Sequence, residues 1–355
     1  MTVSVILILV MLLLSAFFSG MEIAFVSKNR LKLEIDRKQS GLLDFVAKVF
    51  ERHPGQYITS ILVGNNIALV VYALLICIGF VYLYPVLYMI STSFMSRNDL
   101  LDTSVKWLPS KLYLQNFIDA AKAMDYVSSF EKGILIAGLP TLCNVVICMM
   151  VGYGFARYEF KGKKILMGIL IFSYILPRQI TMIPTYVLYT KMGIQGTLWA
   201  FILPALFGNG LNSPIFILIF YQFFKQIPKV LMEAASIDGA GHFKAFFKIA
   251  VPSAIPAIVT VVLFSFVWYW NESYLTELYV QGLAAKSDWT NLVVQLKQFD
   301  TAFQTRASVG DTATSLNESV RMAATTLSIL PLLIMYLVLQ KQFVESIDRS
   351  GITGE

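Results

Sequence analysis

Of the 355 residues, 57% are hydrophobic and only 14% charged, so a polar side chain inside an apolar run stands out as a place where chemistry could occur. Arg178 follows Pro177 and precedes Pro184 within such a run. A charge at that depth is costly, and it either faces a polar pathway or snorkels to the outer surface. Asn209, Asn212 and Ser213 lie in a stretch broken by Pro204, Gly208, Gly210 and Pro214; they line a polar path or hydrogen-bond a neighbouring helix, and helix packing is the commoner use. Trp268, Trp270, Asn271 and Glu272 close a later apolar run. Aromatic rings there suit the C–H faces of a carbohydrate or an interfacial belt; Trp270 is assigned to the belt and Asn271 stays open. Ser19, Glu22, Asn65 and Asn66 offer oxygen ligands to a hard cation, but a single carboxylate is a poor set for an ion that takes six or so oxygens, and no working metal site is expected. There is no G-x-x-x-x-G-K-[ST] and no C-x-x-C, and the only histidines, His53 and His242, fall in separate loops, so neither a P-loop nor a catalytic constellation is present and the chain is not read as an enzyme.

The most structured polar segment is Glu233–Pro252, EAASIDGAGHFKAFFKIAVP, set between two apolar runs. Lys229–Asp238 is rich in helix formers, and Gly239 and Gly241 end that helix because glycine accepts φ > 0. In the next piece Phe243, Phe246, Phe247 and Ala250 recur at i, i+3, i+4, i+7 and are expected to form one apolar face. Pro252 suits the first turn of the helix that follows. Such a helix-turn-helix either docks into a partner's groove or lies back on its own bundle.

These segments need a membrane scaffold. A mean hydropathy of +0.67 is too high for a soluble domain, and the pattern predicts an all-α polytopic membrane protein of about seven transmembrane helices. The expected spans are Val3–Phe18, Ile67–Ile90, Ile134–Phe155, Ile165–Val187, Leu198–Phe223, Ser253–Trp270 and Ala324–Leu339. The first is taken as a retained span because no Lys or Arg precedes it. The net charge of +6 comes largely from short loops: Lys28–Arg52, Arg157 with the KGKK run, Lys225–Lys248 and the tail after Gln340. The positive-inside rule therefore puts those loops in the cytoplasm and the N-terminus outside, and the charge is topological rather than a nucleic-acid signal. Cys77, Cys143 and Cys148 lie inside apolar runs and are read as packing residues.

Glu233-Ala234-Ala235, three residues, Gly239, nine residues, Ile249, one residue, then Val251-Pro252 closely resembles the EAA loop of inner-membrane permeases of binding-protein-dependent ABC importers, with Val251 where that family usually has Leu. FFKQIPKVLMEAASIDGA, WYWNE, VGYGFARYEFKGKK and IPTYVLYTKMGIQGTLWAFILP are similar to the carbohydrate, maltose-type subgroup. The resemblance implies that residues 76–355 form the permease domain, with the last six spans as its core and loop 224–252 carrying a cytoplasmic coupling helix. It further implies that Glu233, Ala234, Ala235, Asp238, Gly239, Ala240, Phe243, Ile249 and Pro252 couple to an ATPase. Arg178, Asn209, Asn212, Trp268 and Asn271 are the candidates for a substrate path. The implied partners are a second permease subunit, an ATP-binding cassette dimer that uses the ATP, an extracytoplasmic solute-binding protein and membrane lipid, in a bacterial plasma membrane. No cofactor is expected on this chain itself.

Residues 1–75 depart from that pattern. AFFSGMEIAF, KNRLKLEIDRKQSG and ITSILVGNNIALVVY resemble the start of the transmembrane domain of cyclin-M/CorC-type magnesium transporters, and the two resemblances meet without a linker, as in a natural gene fusion or a sequence-assembly join. The alternative function it implies is divalent-cation transport.

Overall fold

The computed structural model describes Val10, residues 12–17, Ser19, and residues 54–105, 107–237, 239–282, 287–308, 310 and 315–352. Among them helix dominates and no strand occurs, as a bilayer demands of backbone that must satisfy its own polar groups. The chain divides into two compact units, Met1–Tyr88 and Met89–Glu355.

In the first unit, residues 12–17 and Ser19 are helical, and α1 (Pro54–Ser93) is a 40-residue helix that runs on past the unit's end. From Leu62 its side chains are mostly apolar and mostly exposed, the character of a helix surrounded by lipid or other apolar partners. Most of the expected span Val3–Phe18 and all of Lys28–Arg52 lie outside the described residues.

The second unit is built around α4 (Tyr126–Arg157). It is preceded by α2 (Arg97–Leu101), started by a Ser96–Asp99 capping box, and α3 (Gln115–Ala123). Then follow α5 (Lys163–Ile175), α6 (Arg178–Met192), α7 (Trp199–Leu206), α8 (Ser213–Gln226), α9 (Lys229–Ile237) and α10 (His242–Ala245). A π-helical turn, Phe246–Ala250, leads into α11 (Val251–Ser253) and α12 (Ile255–Asn271). Beyond the π-helical segment Thr276–Gly282 lie α13 (Leu292–Lys297), α14 (Phe299–Ser308) and α15 (Glu318–Ile352). α4 packs against α7, α8 and α12, and α15 against α3 and α12. One apolar core gathers Met124, Tyr269, Trp270 and Phe303; the other gathers Tyr153, Phe216, Phe220, Phe224 and Phe246. Gly152 permits the closest approach, since a Cβ there would stand 2.6 Å from Phe220 Cβ and 3.0 Å from Ile217 O.

The expected spans are longer or broken rather than regular. Three helices, Leu62–Ser93, Tyr126–Arg157 and Glu318–Gln340, are each long and apolar enough to cross a membrane. The expected Ile165–Val187 span is α5 and α6 joined at 94°, because Leu176, preceding Pro177, is driven to extended geometry (ψ 123). The expected Ser253–Trp270 span bends by 75° against α10 and α11. The expected Leu198–Phe223 span is two helices, α7 and α8, interrupted at residues 207–212, where Gly208 (φ +70) and Asn212 (φ +55) adopt left-handed backbone that no continuous helix contains.

Candidate functional site

A broken helix in a membrane leaves backbone polar groups without water, so its breaks need dedicated partners. The α7–α8 break has them. Asn144, fully buried on α4, donates through Nδ2 to Leu211 O (3.2 Å) and Ser265 Oγ (3.3 Å) and accepts at Oδ1 from Ser213 Oγ (2.6 Å) and the Cys148 thiol (3.2 Å). From α12, Tyr269 Oη accepts from the Leu211 N–H at 3.0 Å. The α5–α6 break is joined to this one by Arg178, whose Nη2 donates to Asn212 Oδ1 at 2.9 Å.

Between the two breaks opens a cavity of about 360 Å³. Arg178, Asn209 and Asn212 line it, as do Tyr174, Tyr189 and Phe201, with Tyr269 and Tyr279 closing one side. Tyr279 is held by donating Oη to Met182 O (2.9 Å) and by accepting at its carbonyl from the Gly196 N–H (2.9 Å). The wall thus combines aromatic faces, hydroxyls, amides and one guanidinium, a surface suited to a hydroxyl-rich ligand of small-molecule size.

Of the five expected path residues, Arg178, Asn209 and Asn212 come together there. Trp268 does not line the cavity; its indole stacks on Phe216 (centroids 5.2 Å), drawn into the apolar core behind the break. Asn271 is exposed at the end of α12 and also lies off the cavity. Trp270 is no belt residue: it is 1% exposed, packed between Phe130 and Phe266, because the α4–α12 contact over Gly133 leaves room for the whole ring. The tyrosines of the cavity and Asn144 went unnoticed in sequence. Tyr269 stood between two tryptophans already singled out, the one hint available.

The second site is loop 224–252. Gly239 has φ +76, and the Ala240 N–H donates to Ala235 O at 2.9 Å, the six-to-one bond of a Schellman motif. The expected helix-turn-helix therefore forms, although Gly241 is extended (φ −65, ψ 165) and the left-handed residue is Gly239 alone among the described part of the turn. Arg157 Nη2 donates to Ile227 O (2.8 Å), fastening the entry of the loop to the end of α4. Glu233 and Ala234 are exposed, Ala235 is buried, Ala240 and Ile249 are half-buried, and Pro252 is exposed; Asp238 lies outside the described residues. The expected single face of Phe243, Phe246, Phe247 and Ala250 is split. Phe246 and Ala250 turn inward, with Phe246 against Tyr153 at 4.8 Å, whereas Phe243 and Phe247 are 77% and 60% exposed. From Phe246 the helix widens into the π-helical turn: the Val251 N–H reaches back to Phe246 O, a ladder that precedes Pro252, which has no N–H to give. Val230, Leu231 and Ile237 are exposed as well, so the loop presents an apolar surface away from the bundle.

At the expected cation set, Ser19 and Asn65 are half-buried and Asn66 is exposed. Asn65 Oδ1 accepts from Ser15 Oγ at 2.7 Å, and Glu22 lies outside the described residues. No group of three or more metal-binding His, Cys, Asp or Glu occurs among the described residues.

A family model described as the binding-protein-dependent transport system inner membrane component matches residues 145–349, more than half of the chain. Another, the cyclin M transmembrane N-terminal domain, matches residues 6–97. The probable ABC transporter permease protein YurM of Bacillus subtilis (strain 168) is 29% identical over 272 residues, 76% of this chain and 84% of that protein. The melibiose/raffinose/stachyose import permease protein MelC of the same organism is 27% identical over 284 residues, 79% of this chain and 94% of that protein. A chain in the crystal structure of a bacterial ABC transporter involved in the import of the acidic polysaccharide alginate shares the fold, with a TM-score of 0.66 and 22% identity, over 79% of this chain and 97% of that one.

Proposed function

Because the chain belongs to the family of binding-protein-dependent transport system inner membrane components, multi-pass proteins of the plasma membrane, we propose that it is the permease subunit of an importer for a sugar or oligosaccharide. The relatives are transport permeases rather than enzymes, and an importer of this kind implies an ATPase and a solute-binding protein. In this reading a second permease completes the pathway and a cytoplasmic ATPase dimer hydrolyses the ATP. Residues 76–355 are the permease domain, and residues 1–75 are an added segment. The carbohydrate assignment is supported by relatives such as MelC and by the aromatic and hydroxyl lining of the cavity between the breaks.

Coupling rests on the observation that Phe243 and Phe247 are largely exposed while Phe246, a neighbour in the same turn, is locked into the bundle. That arrangement suits a segment gripped from outside and rigidly attached inside. ATP-driven closure of the ATPases would then move α8 and α4 together and change which side of the membrane the cavity faces. Replacing Phe243 with Asp tests this: the variant should insert normally and lose the ATPase on co-purification, whereas full retention of ATPase and uptake would refute the docking surface. The magnesium reading has the match over residues 6–97 behind it, but it covers the smaller part of the chain and is not preferred.

A further inference from the structure

The charge of the cavity narrows the class of sugar. Arg178 is the one charged residue among the described residues lining it. No Asp or Glu joins it there. The carboxylate whose field reaches it, Glu272, lies off the wall, with Oε1 accepting from the Leu275 N–H at 3.0 Å. The guanidinium carries several N–H donors in a planar fork, and Asn212 Oδ1 receives one of them. Asn212 is neutral, so this bond orients the fork without cancelling its charge. The backbone adds to the same sign: α6 begins at Arg178 and α8 at Ser213, and both starts border the cavity. These helices of 15 and 14 residues each direct the positive end of their dipole to the place where the guanidinium stands. Arg178 is itself exposed, and a neutral sugar would leave its guanidinium with no counter-charge on the cavity wall.

We propose that the cavity between the two helix breaks binds an anionic sugar, with Arg178 gripping its carboxylate or phosphate and the surrounding tyrosines and Phe201 carrying the ring. This rests on the reading of the cavity as the substrate path. Arg178 is thereby a specificity-determining residue, and its bond to Asn212 couples occupancy of the site to both breaks at once. A planar fork favours bidentate capture of either anion, so sugars bearing each must be compared.

The test uses the purified complex of this chain with its partner subunits in nanodiscs. Its thermal unfolding is followed with millimolar oligogalacturonates, oligoglucuronates and alginate oligomers, with neutral galactose and glucose oligomers of equal length, and with disaccharide phosphates. In parallel, Thr181→Cys, at an exposed cavity position, is alkylated in a background where Cys77 and Cys143 are alanine. At least one anionic sugar should stabilise the complex and slow alkylation, and its half-maximal concentration should rise tenfold or more in Arg178→Gln while Arg178→Lys recovers part of the loss. Uronate against phosphate then identifies the anion. If neutral sugars alone protect Thr181→Cys, or if Arg178→Gln weakens neutral and anionic sugars equally, the charge selection is overturned and the path reading stands. If no sugar of any kind slows alkylation, the path reading falls and the inference with it.

Discussion

Replacing Gly239 with Val isolates the turn of loop 224–252, because nothing else there resists the change. A Cβ at Gly239 would meet no atom within 4 Å, so the whole effect comes from φ +76. Left-handed backbone costs an L-residue about 1–2 kcal/mol, and a β-branched residue is a genuine outlier there. Escape to a permitted φ would give up the Ala240 N–H to Ala235 O bond, worth about 1 kcal/mol net. The native turn is thus disfavoured by about 2 kcal/mol, roughly a thirtyfold fall in its population at 1.4 kcal/mol per decade. Bundle stability should hardly move, since Gly239 is exposed and belongs to neither apolar core. Uptake and substrate-stimulated ATP hydrolysis in proteoliposomes should therefore fall more than tenfold in Gly239→Val, with an unchanged melting temperature. Gly239→Asn should stay near wild type, because Asn tolerates the left-handed region. Equal loss in Asn and Val, or full transport by Val with its ATPase still attached, would refute the turn-based account of coupling.

Gly152→Ala should lower the melting temperature by several degrees, about 1–3 kcal/mol of overpacking, because the new methyl meets the backbone of α8 at 3.0 Å; Gly138→Ala, which lies inside the same helix and faces open space, should not lower it and should raise it slightly through helix propensity. Hydrogen bonds from Lys297 and then Gln298 hold Glu277 below the ordinary carboxylate range. With its folded pKa depressed, Glu277 contributes stability that is present above the unfolded value of about 4.3 and lost as pH falls through the folded one. Since the pair is 48% and 33% exposed, the contribution is about 0.2–1 kcal/mol, and the melting difference between wild type and Glu277→Gln should be positive at pH 6 and vanish on acidification.

What was legible in sequence was local. Gly239 announced its turn because a single residue without Cβ suffices to make it, and Arg178 announced the cavity because a charge in an apolar run has few innocuous explanations. The spacing of Phe243, Phe246, Phe247 and Ala250 shows that they share one side of a helix but not how much of that side the bundle covers, and only Phe246 and Ala250 are buried. Asn144 was invisible for a different reason: its partners Leu211 and Ser213 lie more than sixty residues away, and nothing in NVVIC distinguishes an amide that clamps a distant break from one that packs. Tyr269 and Tyr279 were likewise hidden, since tyrosine at a helix end is ordinary until another helix supplies the opposite wall.

The interrupted α7–α8 span also bears on how the protein enters the membrane during synthesis. With 8 residues, α7 extends about 12 Å, and α8 with 14 about 21 Å, each short of the ~30 Å hydrocarbon layer. Neither is a competent insertion signal alone, and the break between them leaves the Leu211 N–H and carbonyl to be satisfied by other helices, through Tyr269 and Asn144. Asn144 belongs to α4, which leaves the ribosome first and is long and apolar enough to be integrated independently. The earlier helix therefore presents a ready-made donor for the Leu211 carbonyl of the later break, so that half of the break is templated by chain order, while the Leu211 N–H waits for Tyr269 on α12.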